Sequence, residues 1–324
     1  MNVETRLDAE RSLADDVLDG LTRPFKELAP KHFYDAHGAE LFDQICEQPE
    51  YYPTRAERSI LVAGSADIVA RTGVGELVEL GSGTAEKTRV LLAAMAAAGT
   101  LTRYVPVDVT EHMVQRTAGE LVEEFPGLRV EGVVGDFEQH LDAVPAPEDG
   151  VPRIVALLGG TIGNFIPGSR RSFLRSIAEL LRPGVDHLLL GTDLVKDPAV
   201  IEAAYNDAAG VTAAFNKNIL VVLNRELGAN FDVDAFEHYA FFDREREWIE
   251  MRLRATHRMD VHIEALKLDI SFAAREELRT EISAKFTRER LAHDMAAAGL
   301  ELREVLTDDE DLFALSLSAR PPAD

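Results

Sequence analysis

The segment Leu77-Val-Glu-Leu-Gly-Ser-Gly-Thr-Ala-Glu-Lys87 combines an apolar strand, a turn with two glycines and the start of a helix. Glycines in such a turn let backbone amides approach a bound ligand closely. A dinucleotide-binding fingerprint needs a third glycine at the position of Glu86, so the segment does not favour a pyrophosphate site. It predicts instead a ligand without phosphate groups, in contact with the turn at Gly81.

Alternating strand and helix patterns continue outward from this turn. Between residues 76 and 194, short apolar runs alternate with helical stretches, which is typical of a parallel sheet covered on both faces. The runs predict strands at residues 77–80, 104–107, 129–134, 154–158 and 187–190. We therefore expect an α/β fold with a Rossmann-like core and a mostly parallel sheet.

The hydrophobic period changes after residue 197 and indicates a second domain. Residues 198–225 have a helical pattern, whereas residues 236–286 alternate at period two, as in an antiparallel sheet. We predict a core at 71–197, an inserted α+β substrate-binding domain at 198–286, and a return to the core at 287–324. The largely helical residues 1–70 are expected to join the insertion over the carboxyl ends of the strands, where open α/β sheets bind ligands.

Acidic residues end the second and third predicted strands. Asp108 is placed to accept hydrogen bonds from both hydroxyls of a ribose, and Asp136 from an adenine amino group while Phe137 packs on the ring. Each aspartate taken alone is also explained as a helix cap. Together with Gly81, these residues predict S-adenosylmethionine as the cofactor, because it presents a ribose and an adenine but no phosphate.

Two charged residues beside the glycine turn each allow two interpretations. Lys87 is either a surface lysine of the following helix or a contact to the cofactor carboxylate, and we assign it to the cofactor. Glu79 either contributes to the ligand site or forms a hydrogen bond that shapes the turn. Both alternatives for Glu79 stay open at the level of sequence.

Composition excludes several classes of partner. The chain of 324 residues has 34 Lys and Arg against 57 Asp and Glu, a formal net charge of −23, which disfavours nucleic acids and anionic membranes. The longest apolar stretch, residues 90–99, is too short to span a bilayer, and the N-terminus lacks the apolar run of a signal peptide. The single cysteine, Cys46, cannot form an internal disulfide and favours a reducing compartment. We expect a cytoplasmic monomer with a small-molecule partner.

Longer motifs resemble a known family, the histidine-specific Nα-methyltransferases of ergothioneine biosynthesis. They extend along nearly the whole chain and are more specific than the glycine turn, which many methyltransferases share. The matching segments are KHFYDAHG (31–38), LFDQI (41–45), PEYYPTR (49–55), VELGSGT (78–84), TIGN (161–164), LGTDLVKD (190–197), YNDAAGVT (205–212) and EIS (281–283). One departure is Gly160, which stands where a serine is common before the TIGN segment.

The resemblance implies a set of substrate contacts. Asn164 and Tyr205 match residues that hold the histidine carboxylate, and Glu281 and Ser283 match residues that hold its imidazole. Tyr34 matches a tyrosine near the α-amine, and we count Tyr34 and Asn164 as catalytic. Further substrate-binding or wall positions are matched by Phe42, Tyr51, Gly159, Thr161 and Met251, and Tyr51 also lies close to the cofactor.

The chemistry of Glu281 and Ser283 is consistent with an imidazole. On a strand these two residues face the same side, since they are two positions apart. A carboxylate beside a hydroxyl satisfies both ring nitrogens, and the serine serves either as donor or as acceptor. The alternative is that both residues belong to a solvated strand face.

The reaction implied is the Nα-trimethylation of L-histidine to hercynine. The sulfonium methyl is already activated, so the enzyme must mainly deliver a neutral amine in line with the bond from sulfur to carbon. The histidines, among them His32, His37 and His112, form no metal-ligand spacing, and we predict no metal. The rival functions are a methyltransferase for another amino acid or small amine, and a non-catalytic sensor that binds S-adenosylmethionine.

Overall fold

A computed structural model describes residues 2–5 and 12–322 of the chain. Residues 1, 6–11 and 323–324, which belong to the predicted N-terminal segment and C-terminal return, lie outside the described residues. The helices are α1 (Leu13–Leu21), α2 (Ala36–Glu47), α3 (Pro53–Thr72), α4 (Thr88–Ala97), α5 (Glu111–Glu124), α6 (Pro167–Leu180), α7 (Pro198–Ala204), α8 (Val211–Leu227) and α9 (Arg288–Ala297). The strands are β1 (Asn2–Thr5), β2 (Lys26–Glu27), β3 (Glu76–Leu80), β4 (Arg103–Asp108), β5 (Arg129–Val134), β6 (Arg153–Leu157), β7 (His187–Asp193), β8 (Phe236–Asp243), β9 (Trp248–Ala255), β10 (Met259–Ile263), β11 (Leu268–Phe272), β12 (Glu277–Ala284), β13 (Glu301–Thr307) and β14 (Phe313–Ala319).

The described residues fall into two compact units. The first, which we call the sheet unit, contains β1, residues 53–194 and residues 286–322. The second, which we call the inserted unit, contains residues 12–52 and 195–285. The division therefore lies at residue 52 rather than at the predicted residue 70.

The sheet unit is built on a mostly parallel sheet with the strand order β1-β5-β4-β3-β6-β7-β14-β13. Strand β14 is antiparallel to both of its neighbours. The six strands β1, β5, β4, β3, β6 and β7 are parallel to one another. The chain runs outward from β3 in one direction through β4 and β5 and in the other through β6 and β7. This reversal of strand order is where open α/β sheets bind ligands, and the glycine turn follows β3 directly. The predicted α/β fold is confirmed.

Burial on both faces explains why the central strands could be predicted. Strands β3 and β6 are buried along their whole length. Helix α3 packs in the same core through Ile60, Leu61 and Ile68, each at most 3% exposed. This apolar face is the physical reason why α3 belongs to the sheet unit and not to the predicted N-terminal segment.

The inserted unit contains a sheet of order β2-β12-β9-β8 and a hairpin of β10 and β11. Strands β8, β9 and β12 pair antiparallel, as the period-two pattern predicted, and β2 adds a short parallel edge. The helical pattern after Pro198 is divided into α7 and α8. Gly210, with a left-handed φ of 74°, lies immediately before α8 and caps its start.

None of the helices among residues 12–322 combines the length and apolar character that crossing a membrane requires.

Candidate active site

The glycine turn after β3 is held by the neighbouring strand β4. The Gly81 amide donates to the Val107 carbonyl (2.8 Å), and the Gly83 amide donates to the Asp108 carboxylate (2.9 Å). Gly81 has a left-handed φ of 76°, and a Cβ at this position would lie 3.4 Å from the Phe137 ring. A side chain here would meet both backbone strain and that ring, so glycine leaves room for a ligand to approach the turn.

Both predicted cofactor aspartates already accept hydrogen bonds from the protein. The two Asp108 oxygens accept from the turn amide described above and from the Thr110 amide (3.0 Å). Asp136 is buried and accepts from the Glu138 amide (2.9 Å) and the Gln139 side chain (3.2 Å). These bonds fix the orientation of the carboxylates. A carboxylate oxygen has more than one lone pair, so Asp108 retains acceptor capacity for a ligand hydroxyl.

Glu79 forms the hydrogen bonds that shape the turn. Its carboxylate accepts from the Thr88 hydroxyl at the start of α4 and from the Tyr104 hydroxyl on β4 (2.5 Å). Burial raises the pKa of the Glu79 carboxyl to about 7, although both hydroxyls act in the opposite direction. Of the two interpretations of Glu79 offered by the sequence, the structure shows the hydrogen bond that shapes the turn.

A carboxylate that the sequence analysis did not single out, Glu57 on α3, connects the turn with the loop after β6. Glu57 is fully buried, forms an ion pair with Lys87, and accepts the Gly159 amide at both oxygens (2.8 and 3.0 Å). A Cβ at Gly191 would lie 2.1 Å from a Glu57 oxygen, so the carboxylate occupies space that only glycine leaves. Lys87, predicted as a cofactor contact, is therefore positioned by Glu57.

The loop after β6 presents the predicted amine-side residues. Gly160 has a left-handed φ of 72° and precedes a short 3-10 helix, Thr161–Asn164. Glycine adopts this conformation without strain. The Thr161 hydroxyl donates to the Leu158 carbonyl (3.0 Å). The Asn164 side chain is partly exposed, and within residues 12–322 its carboxamide has no hydrogen-bond partner.

In the inserted unit, predicted aromatic residues form a cluster. The Phe42 ring lies 5.6 Å from that of Tyr34 and 6.2 Å from that of Tyr51. Phe215 on α8, which the sequence analysis did not identify, lies 5.6 Å from Tyr34 and 6.0 Å from Phe42. Burial, reinforced by the neighbouring Tyr205 hydroxyl, raises the pKa of Tyr51 well above 10. The Tyr51 phenol therefore stays protonated, and no described residue forms a hydrogen bond with its hydroxyl.

Strands β9 and β12 place Met251, Glu281 and Ser283 on one face. Glu281 pairs directly with the buried Met251 across the two strands, and Ser283 lies two positions further along β12. Glu281 is partly buried, and the loss of hydration raises the pKa of its carboxyl to about 7, opposed by the charge of Lys285. In the described part of the chain, no donor lies within hydrogen-bonding distance of the Glu281 carboxylate. The predicted imidazole contact is thus a carboxylate that accepts no hydrogen bond from the described residues.

Lys285 is a buried cation that the sequence analysis missed. It is fully buried, and its ammonium group donates to the Tyr205 hydroxyl (3.1 Å) and the Ser283 hydroxyl (3.0 Å). Tyr205 is also held through its carbonyl, 2.9 Å from Nε2 of His238. The signal available in the sequence was the period of two, since residues 281, 283 and 285 share one face of an extended chain.

The predicted residues are divided between the two units. The predicted residues in the sheet unit are Gly81, Lys87, Asp108, Asp136, Phe137, Gly159, Thr161 and Asn164. Those in the inserted unit are Tyr34, Phe42, Tyr51, Tyr205, Met251, Glu281 and Ser283. Across the residues that the structure describes, His, Cys, Asp and Glu side chains form no group of three or more suited to a metal ion.

Comparison with known proteins gives a consistent result. The family model described as histidine-specific methyltransferase, SAM-dependent, matches residues 13–320. The chain is 50% identical over 312 residues to the histidine N-alpha-methyltransferase of Mycolicibacterium smegmatis, covering 96% of each chain. It is 50% identical over 309 residues to the protein of the same name from Mycobacterium tuberculosis, covering 95% of each. Ergothioneine biosynthesis protein 1 of Neurospora crassa is 27% identical over 293 residues, which are 85% of this chain and 31% of that protein.

Proposed function

Because the chain belongs to the family of histidine-specific, S-adenosylmethionine-dependent methyltransferases, we propose that it converts L-histidine to hercynine by three methyl transfers to the α-amine. We place this reaction as the first step of ergothioneine biosynthesis, the pathway named for the relative from Neurospora crassa. One observation carries the assignment of substrate. The Glu281 carboxylate lies beside the Ser283 hydroxyl and accepts no hydrogen bond from the described residues, so an imidazole N–H supplies the missing donor.

The sheet unit fits the methyl donor. Gly81 leaves space beside the Phe137 ring, which suits an adenine, and Asp108 keeps acceptor capacity for ribose hydroxyls. Lys87 carries the positive charge for the cofactor carboxylate and is held in place by Glu57. When bound, S-adenosylmethionine supplies an electrophilic methyl group on a positively charged sulfur.

The residues of the chain serve to bind and orient the amino acid. Asn164 and Tyr205 are assigned to its carboxylate, and Glu281 and Ser283 to its ring. With both ends held, the α-amine has one direction in which to present its lone pair, and alignment of this kind lowers the barrier to transfer. The amine loses a proton before each transfer, and Tyr34 is assigned to the amine. Three rounds follow with the carboxylate and the ring fixed.

Mass spectrometry tests this function directly. The protein is incubated with S-adenosylmethionine and a panel of free amino acids, and we expect a gain of three methyl groups on histidine only. Methylation of a different amino acid or amine instead would establish the rival enzyme function. Binding of S-adenosylmethionine without any methylated product would establish the sensor. A sample without S-adenosylmethionine is the control.

We also infer that the enzyme acts in the cytoplasm as a monomer. Cys46 is the only cysteine of the sequence, and the net charge of −23 favours a well-solvated protein. Size-exclusion chromatography with light scattering is expected to give the mass of one chain, 35.7 kDa. A mass twice as large would contradict the monomer.

A further inference from the structure

Lys285 has no part in the reaction outlined above, yet it is among the largest fully buried side chains of the protein. Burying a charged ammonium group is unfavourable unless it is paired and hydrogen-bonded. Its observed hydrogen bonds go to two residues of the proposed substrate site, Tyr205 and Ser283, and its nitrogen lies 4.7 Å from the centre of the Tyr205 ring. A cation in this position therefore acts on the groups that bind the substrate.

The ammonium group decides the direction of both hydrogen bonds. An ammonium has three N–H donors and no acceptor, so the hydroxyl oxygens of Tyr205 and Ser283 must accept from it. Each hydroxyl has a single O–H, which then points away from Lys285. The Ser283 O–H is therefore available to donate, and because one lone pair of its oxygen is already engaged by Lys285, donation to a ligand is favoured over acceptance.

The charge of Lys285 acts in the same sense. Glu281, Ser283 and Lys285 alternate along one extended segment and share a face. The Glu281 carboxylate and the Lys285 ammonium lie on either side of the Ser283 hydroxyl in the sequence. Their opposite charges cancel, so the segment carries no net charge. A positively charged ring beside Ser283 would face the ammonium, whereas a neutral ring would not be repelled.

We propose that Lys285 is a specificity-determining positioning residue that makes the site select the neutral imidazole. Ser283 donates to the unprotonated ring nitrogen, and the other ring nitrogen donates its N–H to Glu281. This inference rests on the proposed function, because it assumes that histidine is the substrate.

The first test uses the unmodified protein. Histidine labelled with ¹⁵N in the ring is bound in the presence of S-adenosylhomocysteine, and the ¹⁵N chemical shifts of the complex are measured near neutral pH. We expect one protonated and one unprotonated nitrogen, with well-separated shifts. Two protonated nitrogens with similar shifts would overturn the proposal, since Ser283 could not then donate to the ring.

The second test is a double-mutant cycle of Lys285→Met and Ser283→Ala, with the exposed Lys267→Met as the matched control. Lys285→Met should raise the histidine Kd by about tenfold, the usual effect of losing a hydrogen bond to a charged group. If Lys285 acts through Ser283, then Ser283→Ala should weaken binding much less in the Lys285→Met background than in the wild type. Strictly multiplicative effects would overturn the proposal.

Two readouts separate the possible failures. S-adenosylhomocysteine affinity and thermal unfolding report whether the Lys285→Met protein is folded, and if it is not, the ¹⁵N measurement on the wild type alone decides. A wild-type protein that neither binds nor methylates histidine would overturn the proposed function. Normal methylation of histidine with two protonated ring nitrogens would overturn only the role of Lys285.

Discussion

Glu57 of the sheet unit and Glu281 of the inserted unit are both carboxylates withdrawn from bulk water, but among the described residues donors to a side-chain carboxylate are found for Glu57 and not for Glu281. Glu57 pairs with Lys87 and accepts the Gly159 amide at both oxygens. Within the described residues, the Glu281 carboxylate accepts no hydrogen bond, and burial raises its pKa to about 7. A buried carboxylate without a donor loses hydration, and no hydrogen bond offsets that free-energy cost.

The difference between these two carboxylates distinguishes groups that the protein itself orients from groups that are left to bind a ligand. On the sheet unit, Asp108 and Asp136 resemble Glu57, because donors from the protein already orient them. In the inserted unit, the Tyr51 hydroxyl resembles Glu281, since no described residue bonds to it. Hydrogen bonds already made in the free protein stabilise the fold and orient the group, whether or not that group also contacts a ligand. Groups that lack a partner are stabilised only when a ligand with matching donors and acceptors binds.

The largest expected effect comes from replacing the unpaired carboxylate. Glu281→Ala should reduce kcat/KM for histidine by roughly 30- to 5,000-fold, because truncating one partner of a buried charged hydrogen bond costs about 2–5 kcal/mol. Its free energy of unfolding should change by less than about 1 kcal/mol, since no protein hydrogen bond is lost. Steady-state kinetics and denaturant unfolding measure the two quantities.

The control is Glu237→Ala, which removes an exposed glutamate from strand β8 of the same unit. It should leave both quantities near their wild-type values. A loss of several kcal/mol of stability in Glu281→Ala, with kcat/KM unchanged, would invert the comparison and remove Glu281 from the site.

Replacing the paired carboxylate, Glu57, should mainly lower the free energy of unfolding, whereas replacing Glu281 mainly lowers kcat/KM. Glu57→Gln keeps the shape of the side chain but removes the charge that faces Lys87. We expect the free energy of unfolding to fall by about 2–3 kcal/mol, somewhat less than the usual loss on breaking a buried pair because Lys87 is 22% exposed. Urea unfolding measures the change, and Glu281→Gln is the matched substitution expected to cause no such loss. Equal stability of the two variants would contradict the distinction.

The sequence predicted the central strands of the sheet unit better than its edge strands. Strands β3 to β7 are short apolar runs because they are buried, and the carboxyl-end residues Asp108 and Asp136 follow from them. No residue of β13 is buried, and the strand carries no apolar run longer than Val305-Leu306, so it was not predicted. The sequence pattern also did not reveal that α3 packs on the sheet.

The missed site residues share a physical cause. Glu57 meets its partners across 30 and 102 residues of chain, and no local pattern signals such a pairing. Lys285 extends the alternation of Glu281 and Ser283, but a lysine in a strand ordinarily predicts solvent exposure. Its burial depends on Tyr205, which is 80 residues away. The roles of Glu281 and Ser283 came from family resemblance, whereas the glycine turn and its aspartates came from the residues themselves.

The smallest expected effect is a dependence of histidine binding on pH. The pKa of Glu281 is raised to about 7 by burial, so the ionised form that accepts an imidazole N–H predominates only above that pH. The histidine imidazole and α-amine titrate in or near the same range, and their contributions cancel in the ratio of Kd for Glu281→Gln to Kd for the wild type.

From about pH 6 to about pH 8, that ratio should rise by about tenfold, because the ionised fraction of a group with a pKa near 7 rises from roughly a tenth to nearly one. Calorimetric titration of histidine in the presence of S-adenosylhomocysteine measures it, with Glu237→Gln as the control that should give a constant ratio. A constant ratio for Glu281→Gln would mean that the Glu281 carboxylate does not change charge in this range or does not face the ring. A ratio that falls with rising pH would mean that the protonated Glu281 acid is the form that binds histidine. Glu281 would then not be the unpaired carboxylate that the contrast with Glu57 requires.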